Sequence, residues 1–248
     1  MSFPEPLGPH AFDKLGSYFD GLLASLPERP KAILMISAHW EENRATVSIS
    51  AEPPMLFDYY GFPSHTYELR YPADGSPELA KRVQSLLTEA GIEIGTDDQR
   101  GFDHGVFVPM LKIDPEASLP LVMLSLRHDL DPAHHLAIGA ALAPLREQGV
   151  LIIGSGSSFH NLRTYFNGVP EAAQQFDQWL TETAENPEGR EERLIDWQSA
   201  PAARACHPRE EHLLPLMVAA GAAPGEPGRR VFHDIIGGKA MSGYAFGA

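Results

Sequence analysis

Apolar and polar positions change period several times along the chain, and each change predicts an element. Phe12, Leu15, Phe19, Leu22, Leu23 and Leu26 recur at helical spacing, which predicts an amphipathic helix over 11–26. Ala32 to Ile36 then form a continuous apolar run, the pattern of a strand buried on both faces. The alternation in ATVSIS (45–50) predicts a second strand. Residues 52–74 are rich in proline and aromatics and read as a long ordered loop. Ser76 as N-cap, Pro77 at the first helical position and Gly91 beyond the end bound a helix over 76–91. LPLVMLSL (119–126) predicts another buried strand, and 131–149 a helix opened by Asp131 and Pro132. VLIIGSGS (150–157) predicts the strand after it. Helices are expected over 171–186 and 208–221, a loop over 221–230 and a late strand in KAMSGYAFG (239–247).

Strands alternate with helices throughout, which predicts an α/β fold with a mostly parallel or mixed sheet and helices on both faces. There is no internal repeat or linker. The 248 residues, 43% of them hydrophobic, suit one well-buried core and hence a single domain. Acidic residues outnumber basic ones, 33 to 19, for a formal charge of -14. Such a surface repels phosphate backbones and anionic lipid, so neither nucleic acid nor membrane is an expected partner. No apolar run is long enough to span a bilayer and no secretory leader pattern is seen, so a cytoplasmic protein is expected. One cysteine, Cys206, excludes an internal disulfide and a cysteine-built zinc site.

Eleven histidines carry the chemistry. His39 follows the strand AILMISA, and His160 follows VLIIGSGS within GSGSSFHNL. Ligands in open α/β sheets bind beyond the carboxyl ends of strands. His104 lies in RGFDHGVFVP, a loop between Gly101 and Gly105, and His212 in the first turns of a helix opened near Pro208. Neutral imidazole is the commonest metal ligand and the usual proton carrier near pH 7. Two histidines with one carboxylate make the facial triad of non-haem Fe(II) oxygenases. Glu41, Glu42, Asp103, Glu210 and Glu211 stand beside the histidines as candidates for that carboxylate. A hydrogen-bonded loop histidine remains the plain reading of each site taken alone. His134 and His135 sit on an expected amphipathic helix, where packing or surface roles are the natural reading. HExxH, P-loop and GxSxG patterns are absent.

AILMISAHWEE, PPMLFDYYGFPSHTYELRYPADGSPELA, GFDHGVFVPM, GSGSSFHNLR and HPREEHLLPL occur in that order. Together they resemble the class III extradiol ring-cleavage dioxygenases of the LigB-like superfamily. The likeness is to their 4,5-DOPA dioxygenase-like branch, from about residue 11 to the end. The resemblance implies a non-haem metal, Fe(II) in active enzymes with Zn(II) able to occupy the site. It implies His39 and His212 as metal ligands, His160 as acid–base and His104 as a second histidine lining the pocket. The implied reaction opens a catechol-type ring with O2, next to the diol. Phe57, Tyr59, Tyr60, Phe62 and Tyr67 offer a wall for a planar substrate; ordinary packing accounts for them equally well.

Relatives of that kind begin with a strand ending in a His-Gly motif whose histidine is the third metal ligand. That motif is absent here. His10 precedes a helix rather than following a strand, so it is not expected to replace it. The expectation is that Met1 is an internal residue of a longer natural chain. A genuinely short chain with a two-histidine site is the other reading. Two further readings stay open: a metal-poor binding protein on the same fold, and a zinc hydrolase using His39 and His212. Self-association into a homo-oligomer also stays open.

Overall fold

A computed structural model describes residue 8, residues 10–164 and residues 170–247. Its elements run, in chain order, α1 (Asp13–Gly21), β1 (Ala32–Glu42), β2 (Ala45–Ser48), α2 (Pro77–Glu89), β3 (Ile94–Asp97), α3 (His104–Ile113), β4 (Leu121–Arg127) and α4 (Pro132–Leu142). There follow α5 (Pro144–Glu147), β5 (Val150–Ser155), α6 (Pro170–Glu185), α7 (Arg190–Ile195), α8 (Ala203–Cys206), α9 (Leu214–Gly221), β6 (Gly228–Ile236) and β7 (Lys239–Phe246).

The main sheet has the order β3-β2-β4-β1-β5. β1 pairs in parallel with β4 and β5, β2 in parallel with β3, and β2 meets β4 antiparallel through Val47 and Leu124. This is the mixed, mostly parallel sheet expected. Burial explains the apolar runs. Leu34 and Ile36 of β1, with Val122 and Leu124 of β4, join a core that includes Leu79, Val83, Leu136, Phe176 and Met217 of the helices on that side. The alternate residues Ile33, Met35, Leu121 and Met123 face the other way, against Val106, Phe107 and Met110 of α3. Strands this central have no polar face, so their sequence cannot alternate.

The capping signals act as read. The Ser76 side chain accepts from the Leu79 N–H and opens α2; the Asp131 side chain accepts from the Ala133 N–H and opens α4. Several expectations are corrected. The first helix stops at Gly21, and a separate 3-10 turn follows over Leu23–Ser25. The expected loop over 221–230 ends early, because Gly228, Arg229 and Arg230 already belong to β6. β6 and β7 form a hairpin outside the main sheet. Residues 1–7 and 9, which include the opening segment MSFPEPL, lie outside the described residues. No helix among the described residues is long and apolar enough to cross a membrane.

Candidate metal centre

Backbone irregularity places the first histidine. The β1–β4 register runs from Ile33 to Ile36 and resumes only at Glu41. His39 lies in the gap, freed from ladder pairing, near the carboxyl ends of β1 and β5. Its N–H bonds the Ser37 hydroxyl at 3.2 Å.

His104 was expected on a loop but is the first residue of α3, a helix capped by Asp103 through the Gly105 N–H. The apolar run VFVPM hid that helix, since it lies buried and carries no polar stripe. His212 was expected inside a helix opened near Pro208. The helix instead begins at Leu214, with Pro215 in its first turn, and His212 sits in the turn before it. That turn is laid onto the end of β5. The Ser157 N–H bonds the His212 carbonyl at 2.9 Å, and a Cβ on Gly156 would stand 2.2 Å from the same oxygen. The GSGS stretch therefore serves close backbone approach. His160 leaves the same loop, its N–H bonded to the Cys206 carbonyl at 3.0 Å.

The four rings converge. His39 Nε2 and His212 Nε2 are 3.1 Å apart. The His160 ring stacks on His212 with centroids 3.3 Å apart and planes 12° apart. The His104 ring stacks on His39, centroids 4.0 Å apart. Each ring has a carboxylate on its Nδ1 side. Glu211 Oε1 lies 3.0 Å from His212 Nδ1 and 3.4 Å from His160 Nδ1. Asp58 Oδ1 lies 2.7 Å from His104 Nδ1 and also accepts the His104 backbone N–H at 3.0 Å. His39 Nδ1 is buried with no hydrogen bond; Asp103 Oδ1 is 3.6 Å away and Asp58 Oδ2 4.0 Å.

This pattern fixes a tautomer. An ionised carboxylate only accepts, so the Nδ1 of His212 carries the proton and its Nε2 offers a lone pair. That lone pair points at His39 Nε2, so a proton or a cation must stand between the two nitrogens. Two imidazole nitrogens held ~2.0–2.1 Å from one ion, at tetrahedral or right-angled positions, are themselves ~2.9–3.4 Å apart. The observed separation falls in that interval, so the pair fits a first-row metal.

Electrostatics agree. Burial pulls the His212 imidazole down to about 4, so it is neutral and ligand-competent at pH 7. Burial alone would raise the Glu211 carboxyl, but hydrogen bonds from His160 and His212 hold it well below the carboxylate range. Burial likewise opposes Asp58, and its bonds from His104 win, lowering it to about 2. Asp103 is buried and also lowered, against its own burial, by His39, the Ser37 hydroxyl and Arg100.

The carboxylates do not complete a facial triad with the Nε2 pair. Asp103, Asp58 and Glu211 stand behind the rings. Of the other candidates, Glu41 pairs with Arg209, Glu42 accepts from the Trp40 indole and Glu210 pairs with Arg204. Asp58 was missed by sequence reasoning. It meets its histidine across 46 residues, a distance no local spacing reports. His10 is exposed and bonds Asp13. His135 is buried between the Asp131 carbonyl and the Arg127 N–H, and its role is packing. In the aromatic loop, Phe57, Tyr59 and Tyr67 pack on one another and Tyr59 stands edge-on to His104, 5.7 Å between centroids. Tyr60 is 92% exposed and forms no part of such a wall.

Comparison with known proteins points the same way. The family described as the catalytic LigB subunit of aromatic ring-opening dioxygenase matches residues 12–246. The 4,5-DOPA dioxygenase extradiol of Beta vulgaris is 42% identical over 220 residues, covering 87% of this chain and 81% of that protein. That of Mirabilis jalapa is 38% identical over 237 residues, 94% of this chain and 88% of its own. The crystal structure of an uncharacterized protein from Escherichia coli K12 superposes with a TM-score of 0.75 at 30% identity, covering 92% of this chain and 91% of that one.

Proposed function

Because this chain belongs to the LigB family of aromatic ring-opening dioxygenases and is an extradiol dioxygenase, we propose that it opens a catechol-type ring with O2 as a non-haem Fe(II) enzyme. The whole chain is read as one catalytic domain. The observation that carries the reading is the His39–His212 pair, two Nε2 atoms 3.1 Å apart with carboxylates behind the rings.

His39 and His212 are the proposed metal ligands, and Zn(II) would occupy the same nitrogens. Bound there, Fe(II) supplies the Lewis-acid and redox chemistry that brings diol and dioxygen together. The protein's own part is proton handling and orientation. His160 Nε2, the ring nitrogen turned from Glu211, takes a phenolic proton and returns it as the ring opens. The stacking of His160 on His212 brings that proton carrier beside the ligand pair. His104, held at two points by Asp58, presents its imidazole edge to the same space, with Tyr59 beside it. Cleavage next to the diol consumes one O2 per ring and leaves an aldehyde and a carboxylate.

The test is anaerobic loading with Fe(II), followed by oxygen uptake and yellow semialdehyde absorbance across a panel of catechols. The expected result is uptake with at least one catechol and none with zinc. No uptake with any catechol, from a chain shown to hold Fe(II), refutes the reading.

A further inference from the structure

One carboxylate oxygen serves two histidines. Glu211 Oε1 faces both His212 Nδ1 and His160 Nδ1, at 3.0 and 3.4 Å, and the two rings lie nearly parallel. A common acceptor explains that stack. Two imidazoles whose Nδ1 atoms face the same oxygen from neighbouring backbone segments are brought face to face. Both then turn Nε2 away from Glu211.

The other oxygen, Oε2, is buried and has no hydrogen bond. It faces Arg209 Nη1 at 3.5 Å, an ion-pair contact. Arg209 is gripped by both oxygens of Glu41, which stands two residues beyond His39 on β1. A chain of charge thus runs from the stacked pair through Glu211 and Arg209 back to the strand that carries His39. The Glu211 side chain is 14% exposed, so both ring contacts are made in a largely enclosed position.

We infer that Glu211 is a shared positioning residue. It fixes His212 and His160 in one tautomer and one stacked pair, and it is steadied by the Arg209–Glu41 ion pair. This rests on the metal reading of His212 and the proton-carrier reading of His160. Outer partners of ligating histidines set ring orientation and ligand basicity, and their loss lowers metal affinity by about 10–100-fold.

The test uses the full chain, Glu211→Ala and the isosteric Glu211→Gln. Tautomers are read by long-range proton–nitrogen NMR of the metal-free proteins, and affinity for Zn(II) alone by competition with a chromogenic chelator. In the parent, both His160 and His212 are expected as the Nδ1–H form. In Glu211→Ala both rings shift toward the Nε2–H form, and zinc binding weakens by about 10–100-fold. Glu211→Gln keeps one acceptor oxygen, so it is expected to fold like the parent and to recover part of both effects. If either ring keeps its tautomer in the alanine variant, or zinc affinity is unchanged, the inference is overturned. If the parent binds no zinc, the metal reading fails, and the tautomers alone decide for Glu211.

Discussion

Gly105→Ala sets the helix that carries the substitution against the site beside it. Gly105 is the second residue of α3, and a Cβ there would lie 2.7 Å from His39 Nδ1, 3.0 Å from the Ser37 hydroxyl and 3.1 Å from Asp103 Oδ1. A methyl carbon and a ring nitrogen need about 3.5 Å, so the His39 ring must retreat by roughly 0.8 Å. Ser37 and Asp103 cannot yield in its place. They are buried and bonded to each other at 2.8 Å, and Asp103 is also bonded to Arg100 at 2.8 Å. Alanine favours helix over glycine by about 0.5–1 kcal/mol, while the overlap costs about 1–3 kcal/mol. The net loss is then about 0–2.5 kcal/mol, or a fall in Tm of at most about 10 °C. The site fares worse. Ligand distances tolerate about ±0.2 Å, so a ring displaced several times that far no longer shares an ion with His212. Zinc affinity should fall at least about tenfold in a protein whose circular dichroism and cooperative unfolding persist. Chelator competition and thermal melts, run side by side, check it. An alanine variant that binds zinc like its parent would refute the steric argument, because it would show that His39 is not wedged between Gly105 and His212.

Other expectations follow from the same geometry. His160→Gln should lower turnover by about 10²–10⁴-fold while leaving zinc affinity close to the parent value; equal turnover would remove His160 from proton transfer. Asp58→Ala removes both bonds to His104 and unpins the aromatic loop, so KM for catechols should rise, and an unchanged KM counts against the loop as a substrate wall. Ser76→Ala deletes the α2 cap, which should cost about 1 kcal/mol and lower the urea midpoint without altering activity. Burial holds His207 and His212 at about 4 in the folded chain, against 6.5 when free. The unfolded state therefore binds more protons between those values. Stability should be full above pH 6.5 and fall as pH drops toward 4, by roughly 3 kcal/mol from His207 alone. Urea midpoints that stay flat from pH 7.5 to 4.5 would show that these imidazoles are not buried neutral.

What could be read directly from the chain was whatever is governed by neighbours in sequence. The buried runs of β1 and β4, the strand at β5 and the caps at Ser76 and Asp131 are local signals, and the structure has each of them. The late hairpin was half read. Gly237-Gly238 between two strands is a two-residue turn signal, yet the arginines of GRRVFHDII masked β6. α3 was hidden for the opposite reason, too little polarity, although Asp103 before an apolar run was a usable cap signal. His39, His104, His160 and His212 were picked out individually, and the structure brings all four together. Their carboxylate partners were not legible, apart from those adjacent in sequence. Whether Asp103 faces His39 or Glu211 faces His160 depends on how strands and turns stack, and composition carries no trace of that.

The distance along the chain between the two facing nitrogens has a kinetic meaning. His39 and His212 are 173 residues apart, and no shorter segment contains both. If these two nitrogens hold the metal, as proposed, the unfolded chain cannot offer that pair, so the ion favours the finished topology. Loading then becomes a late event that acts as a latch: at 100 times its dissociation constant an ion adds about 2.7 kcal/mol to folded stability. Stripping it should shorten the lifetime of the native state at elevated temperature, as well as silence the enzyme.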